Sequence, residues 1–411
     1  MSVSRQRGAA LLLMLVLAGS ALAITMIFTL QKRNYATERE RKTIEALNKA
    51  KAALLAWTLT QPGNSSTAPD PGSLPCPDMD NAPGSPNEGT RTNCKAGVVG
   101  LFPWRTLKSE RLVDGWGEPL WYAFDPAFVD TATNTPRINS DSRAGLQIFD
   151  TSGTLLTPAG SEAAAVIFSA GPALTGQTRP ANARTGAGNY LESTPFGNNA
   201  ATGGPFVAGP DANGSLNDRL VYISGQELIA QISIRAAAEV TAALQAHYQD
   251  QGKYPNPAAW IAGSSCFTNE WSSSSSCPSN PGRCRGVLPA PDTLQVDNWK
   301  GAGKFPLWFI NNLWHRSIYY SVREAGCDPT VDGKAVDAVF LMPGAPLDSI
   351  VRVAKPASIK SKVSTDLADY LEDARNRDAD DAFFSPGAAS NDRLYVCEQG
   401  NNGPICREKK R

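Results

Sequence analysis

The sequence predicts an α+β protein: a long N-terminal helix, then two units in tandem, each a helix packed on an antiparallel sheet. Three observations lead there. The chain opens with a charge-free apolar run, Gly8 to Leu30, and continues from Gln31 to Leu59 without proline or glycine. A second helical stretch, Gly225 to Gln249, stands mid-chain with no apolar run before it. Short apolar segments also recur in the same order in both halves. The implied divisions are 1–8, 9–60, 61–224 and 225–411.

Composition bounds the problem first. The 411 residues suffice for two or three domains. Lys+Arg and Asp+Glu both number 39, so there is no electrostatic case for a nucleic-acid partner. Generous glycine (35) and proline (30) suit short strands and long loops. The cysteines are eight, an even number, as a disulfide framework requires.

The run from Gly8 to Leu30 is flanked by Arg5 and Arg7 on one side and Lys32 and Arg33 on the other. About 20 apolar residues cross a bilayer core as a helix. The expectation is therefore a single membrane span with the following chain in the periplasm, where disulfides persist. A secretory signal peptide cut after Ala21-Leu22-Ala23 is one alternative and a plain signal anchor another. Against cleavage, the apolar run continues through Ile24, Met26, Ile27, Phe28 and Leu30. Ile44, Leu47, Leu54 and Leu55 then form a stripe of helical period, among alanines that favour helix. Pro62-Gly63 ends it.

Residues 61–75 are a turn-rich loop, and Cys76 and Cys94 bracket another. The two are expected to pair, two free buried thiols being the alternative. Asp114-Gly115-Trp116-Gly117-Glu118-Pro119-Leu120-Trp121-Tyr122 combines a glycine turn, an aromatic anchor and a proline at a strand entrance. Strands are expected at 146–149, 165–169 and 220–224, with a long loop over 170–216. Ser224 or Gly225 caps the second helix. Its apolar face holds Leu228, Ile229, Ile232, Ala236, Val240, Ala243 and Leu244.

The halves share four segments. Residues 119–123 have a looser counterpart in 316–320. Residues 164–174 answer 337–347, Asn189-Tyr190-Leu191-Glu192 answers Asp369-Tyr370-Leu371-Glu372, and Asn217-Asp218-Arg219-Leu220 answers Asn391-Asp392-Arg393-Leu394. An internal duplication is the reading, one larger sheet domain its alternative. Cys397 and Cys406 flank the last hairpin and are expected to pair. Cys266, Cys277, Cys284 and Cys327 allow three pairings. No Cys-x-x-Cys pair supports zinc.

The start Arg5-Gln6-Arg7-Gly8, followed by Ala9-Ala10-Leu11-Leu12-Leu13, resembles the type IV prepilins and type II secretion pseudopilins. The segment around Trp116 and the ending Tyr248-Gln249-Asp250-Gln251-Gly252-Lys253-Tyr254-Pro255 are similar to that family's major pseudopilins. The resemblance implies cleavage after Gly8 by a prepilin peptidase and methylation of Ala9. It implies two pilin-like heads, and filament packing through Leu13, Leu17 and Leu22. The family's usual glutamate, five residues into the mature chain, is Leu13 here. That departure favours a minor or tip subunit, similar to the K-class and X-class subunits.

No hydrolase elbow, zinc-protease helix, phosphate loop or dinucleotide fingerprint occurs. His247 and His315 have no partner motif and read as structural. Asp211, Asn213 and Ser215 place oxygens at alternating positions, a weak calcium motif without the closing glutamate; an Asx-turn loop is the competing reading. The expected function is thus assembly without catalysis. The subunit would sit single-pass in the inner membrane, or at a filament tip, with sister pilins as partners. A stand-alone inner-membrane protein with a periplasmic binding domain is the alternative.

Overall fold

A computed structural model describes residues 35–63, 69–80, 82–92, 97–129, 137–180, 184, 186–257, 285–288, 305–347, 352, 367–377, 380–400 and 403–409. Helix α1 covers residues 35–60. It buries Ala46, Leu47, Ala50 and Leu54 on one face, while Glu38, Arg41, Lys42, Glu45 and Lys49 form ion pairs on its exposed side. Over residues 35–42 it has no fully buried residue, though Glu40 pairs with Arg219 at 2.8 Å.

The first sheet follows. Its strands are β1 (Gly100–Leu101), β2 (Trp121–Phe124), β4 (Ala163–Ser169) and β8 (Arg219–Ser224), adjacent in that order. Strand β3 (Ile148–Asp150) pairs in parallel with β7 (Phe206–Ala208), and β5 (Ser193–Thr194) with β6 (Gly197–Asn198) forms a small hairpin. Helix α2 (Gly225–Gln251) starts directly from β8. Ser224 caps it by accepting the Glu227 N–H, and Gly252 ends it in the left-handed region, φ 70°. Such a stop favours glycine, which lacks the clashing Cβ.

The second sheet has the order β16 (Gly403–Glu408), β15 (Arg393–Gly400), β13 (Ala338–Met342), β10 (Tyr319–Val322), β9 (Arg285–Val287). Strand β11 (Thr330–Val331) pairs with β12 (Lys334–Ala335), and in parallel with β14 (Ala382–Phe383). Helix α3 (Leu307–Asn311) brings Trp308 and Phe309 into the core.

The two sheets repeat one another residue by residue. In the first, Trp121 faces Phe168, and Phe168 faces Leu220. In the second, Tyr319 faces Leu341, and Leu341 faces Leu394. The offsets between β4 and β13 and between β8 and β15 are those of the shared sequence segments. For β2 and β10 the segment alignment is one residue out, because Trp121 corresponds to Tyr319, not Ile318. A one-residue slip would turn every side chain to the other face. The parallel pairs correspond too: Ile148 with Phe206, and Val331 with Phe383.

Two expectations are corrected. The fold is mixed, with several sheets, and not a spanning helix followed by two separate heads. Tyr122, Phe124 and Ile167 of the first sheet, Tyr320, Phe340 and Met342 of the second, and α1 and α2 all belong to one hydrophobic core. Helix α2 is buried on a broad face, Leu228 through Leu244, because it packs in that common core. Only the outer faces have their own clusters, around Trp121 and Phe168 in one half and Tyr319 and Leu341 in the other. The membrane-spanning helix and single-pass inner-membrane location are corrected as well. Among the described residues no helix is long and apolar enough to cross a membrane. The run Gly8–Leu30, with Gly8, Ala9, Leu13, Leu17 and Leu22, lies outside the described residues.

Candidate functional site

The densest polar construction is duplicated, one copy beneath the outer loop of each sheet. In the first half a short 3-10 turn, Ala187–Asn189, leads into Tyr190-Leu191-Glu192. The Glu192 N–H donates to Asp218 Oδ2 at 2.9 Å, and Glu192 Oε2 accepts the Asn217 N–H at 3.0 Å. In the second half the turn Leu367–Asp369 leads into Tyr370-Leu371-Glu372. There the Glu372 N–H donates to Asp392 Oδ2 at 3.1 Å, and Glu372 Oε2 accepts the Asn391 N–H at 3.3 Å. Asn217 Nδ2 donates to the Pro172 carbonyl at 2.6 Å, and Asn391 Nδ2 to the Ala345 carbonyl at 2.7 Å.

An arginine completes each copy. Arg179 donates to the carbonyls of Gly171 at 2.7 Å and Tyr190 at 3.1 Å, and lies 5.0 Å over the Tyr190 ring. Arg352 donates to the carbonyls of Gly344 at 2.6 Å and Tyr370 at 3.2 Å, and lies 4.8 Å over the Tyr370 ring. Neither arginine stands out from the segments shared by the halves, because the residues around them do not match. The signal was present: Gly171 and Gly344 are counterparts, and each arginine sits eight residues further on.

Burial governs the chemistry. Asp218 is fully buried and Asp392 4% exposed. Burial, and then the charge of Glu192, pushes the Asp218 carboxyl well above the ordinary carboxylate value. Burial and Glu372 do the same to Asp392. Each acid is pushed towards its neutral form against its glutamate, because two adjacent buried negative charges are costly. The arginine donors go mainly to main-chain carbonyls, with Arg179 also donating to Gln177 Oε1 at 2.6 Å. Each copy therefore clasps a loop to a strand and presents no nucleophile paired with a base.

The glycine turn around Trp116 is pinned by Asp114, which is 4% exposed. Its Oδ1 accepts the N–H groups of Trp116 and Glu118, both at 2.9 Å, and its Oδ2 accepts Ser169 Oγ at 2.8 Å and the Gly171 N–H at 3.1 Å. Gly115 donates to Thr43 Oγ1 at 3.0 Å, and an added Cβ would stand 2.1 Å from the Arg39 carbonyl oxygen. Only glycine permits this approach of the turn to α1.

Elsewhere, Cys397 and Cys406 face each other across β15 and β16 and are disulfide-bonded. Cys76 and Cys327 are each in a disulfide, while Cys94, Cys266, Cys277 and Cys284 lie outside the described residues. Asp211 accepts the N–H groups of Ser215 at 2.9 Å and Leu216 at 3.1 Å, and the Ser215 hydroxyl. Its oxygens serve an Asx-turn, with Asn213 exposed beside it. Among the described residues no cluster of three or more His, Cys, Asp or Glu is arranged to hold a metal ion. His247 and His315 are buried, at 3% and 2% exposure, and burial lowers the His247 pKa. A groove of about 330 Å³ lies over the outer face of β15 and β16, beside exposed Ile405. Comparison with family models, curated proteins and solved structures finds no match.

Proposed function

We propose that this chain is a non-catalytic minor subunit of a type IV pilus or type II secretion pseudopilus, placed at the tip or at initiation. The observation that carries the reading is the leader-like Arg5-Gln6-Arg7-Gly8 before Ala9 to Leu13, read together with α1. That helix stands clear of the body over residues 35–38, meets the Gly115 turn through Arg39 and the first sheet through Glu40, and packs into the core from Thr43 onward. A helix of this form suits a stem that carries a head. The hydrophobic Leu13, where the family's filament-forming subunits have a glutamate, supports a minor role. The doubled sheet adds bulk that is awkward to stack along a filament and unproblematic at its end. The partners are other pilins or pseudopilins and a prepilin peptidase. The experiment is mass spectrometry of the mature N-terminus, with a Gly8→Leu variant beside the wild type. The expected result is a wild-type chain beginning at methylated Ala9, and a variant that stays unprocessed and is lost from sheared filaments. An intact Met1, a start near Ile24, or an unchanged filament content in the variant would reject the reading.

A further inference from the structure

The second clasp does something the first does not: it reaches across to the other half. Arg352 Nη1 donates to the Ser140 carbonyl of the first repeat at 3.0 Å, as well as to Gly344. Its Nε donates to the Asp369 carbonyl and its Nη2 to Tyr370. Glu372 Oε1 lies 3.8 Å from Nη2. The Arg352 side chain is completely buried. The same loop of the first repeat docks beside it. The Ile138 N–H donates to Asn312 Oδ1 at 2.6 Å, Asn139 Nδ2 to the Asn312 carbonyl at 2.7 Å, and Ser140 Oγ to Ser317 Oγ at 3.1 Å. Asp141 follows, with a buried Oδ1. The groups acting on its carboxyl are the Arg352 guanidinium, the Tyr370 hydroxyl and Ser140. The groups around the Glu372–Asp392 pair are Arg352, the Ser390 hydroxyl at 2.9 Å from Glu372 Oε2, and Arg377, which donates to the Glu372 carbonyl.

A guanidinium has five N–H donors. Four are taken by the carbonyls of Asp369, Ser140, Gly344 and Tyr370, and the fifth is nearest Glu372. Asp141, partly exposed as a residue but with Oδ1 buried, lies near a positive charge whose hydrogen bonds are already used. Burial therefore outweighs the attraction of Arg352, and the Asp141 carboxyl is pushed up to about 6.

We propose that the 137–142 loop, tied to the second repeat by Arg352, Asn312 and Ser317 and carrying Asp141 with its buried Oδ1, is a proton-operated latch that holds to the second repeat in acid and loosens towards neutral pH. The sign follows from linkage. A carboxyl whose pKa is higher docked than undocked favours docking fully below the undocked value of 3.8, and this contribution is lost as pH rises to about 6. The first clasp is an internal control. Arg179 meets Glu118 of its own repeat at 3.4 Å, and its carbonyl partners Ala170, Gly171, Asn189 and Tyr190 belong to that repeat. The inference is independent of the filament reading.

Hydrogen exchange of the full chain tests it, with amide rates corrected for their intrinsic pH dependence. In the wild type, the opening equilibrium of residues 137–142 should rise roughly 50-fold between pH 4 and pH 7, each pKa unit being about tenfold over its full range. Asp141→Asn, which keeps the shape and removes the titration, should be flat across that range, while Asp218→Asn should keep the wild-type rise. A second readout, the carboxyl ¹³C shift of Asp141, should titrate near 6 in the folded wild type. Equal protection at both pH values in the wild type, an undiminished rise in Asp141→Asn, or an Asp141 midpoint near the ordinary value would each overturn the latch.

Discussion

Two buried aspartates in the first half show how environment sets opposite roles for one residue type. Asp114 accepts four hydrogen bonds, two on each oxygen. An asparagine there would aim its amide N–H groups at two donors. Leaving buried donors unsatisfied costs ~1–3 kcal/mol each. Asp114→Asn should therefore destabilise the protein by about 2–4 kcal/mol in urea unfolding, and a change below about 0.5 kcal/mol would refute the pinning role. Asp218 is the contrary case. Its Oδ2 accepts hydrogen bonds from the Glu192 N–H and Asn199 Nδ2, and burial with the charge of Glu192 pushes the group towards its neutral form. Asn is a close mimic of that neutral acid. Because the folded pKa lies above the ordinary 3.8, Asp218 favours folding most below that value and loses this contribution as pH rises through its folded pKa. Asp218→Asn should match the wild type near pH 4, within about 1 kcal/mol, and be the more stable of the two at pH 9. The margin there is ~1.4 kcal/mol for every pH unit that separates the folded pKa from the ordinary one. Thermal melts at the two pH values decide it; a variant that loses most at high pH would contradict the neutral-acid assignment.

At the scale of elements, what the sequence reveals and what it conceals have physical reasons. The strands β4 and β13 were legible because both faces are buried, which makes them continuous apolar runs such as Ala164 to Phe168, and β8 and β15 because short apolar runs follow the shared Asn-Asp-Arg-Leu segment. Helix α2 was legible from its period and from the cap offered at Ser224 or Gly225, and it runs two residues past the expected end at Gln249 to its stop at Gly252. Strand β3 overlaps the expected strand at 146–149, but its parallel partner β7 and the pair β11 with β14 were not legible, since two or three residues carry no periodicity and the pairing spans long loops. Arg179 and Arg352 escaped notice because their work is done through carbonyls, which any sequence supplies. The edge strand β16 makes sense only once its register is known. Lys409 N–H donates to the Leu394 carbonyl at 2.8 Å, which makes Leu394 and Lys409 a hydrogen-bonded pair of the ladder. Counting back in alternation, Pro404 stands opposite Gln399 at a position whose main chain faces outward. Its missing N–H costs the ladder nothing and blunts an open edge against unwanted pairing.

For the whole molecule, the decisive feature is that the halves repeat without being separate. Sequence similarity between segments reports shared local structure, and it cannot report that two repeats pool one core. The pooling is visible in side chains that belong to both halves at once. Arg235 of α2 donates to the Leu59 and Gln61 carbonyls at the end of α1, at 2.6 and 2.7 Å, and lies 5.2 Å over the ring of Trp308. Lys51 of α1 pairs with Glu227 of α2 at 2.8 Å, which together with the Arg235 contacts sets the two helices running in the same direction. Trp308 itself is 1% exposed, and its Cβ lies 2.6 Å from where a Cβ on Gly63 would stand. Two independent heads would unfold in two steps, each with its own stability. A pooled core removes that freedom, because exposing one sheet's inner face strips the other of its partner atoms. Calorimetry of the chain with disulfides intact should accordingly give one transition, with calorimetric and van't Hoff enthalpies in agreement. Trp308→Ala should cost ~3–5 kcal/mol and lower hydrogen-exchange protection in β4 and β13 alike. Two resolved transitions, or a loss of protection confined to the second sheet, would show instead that the repeats fold as neighbours and not as one body.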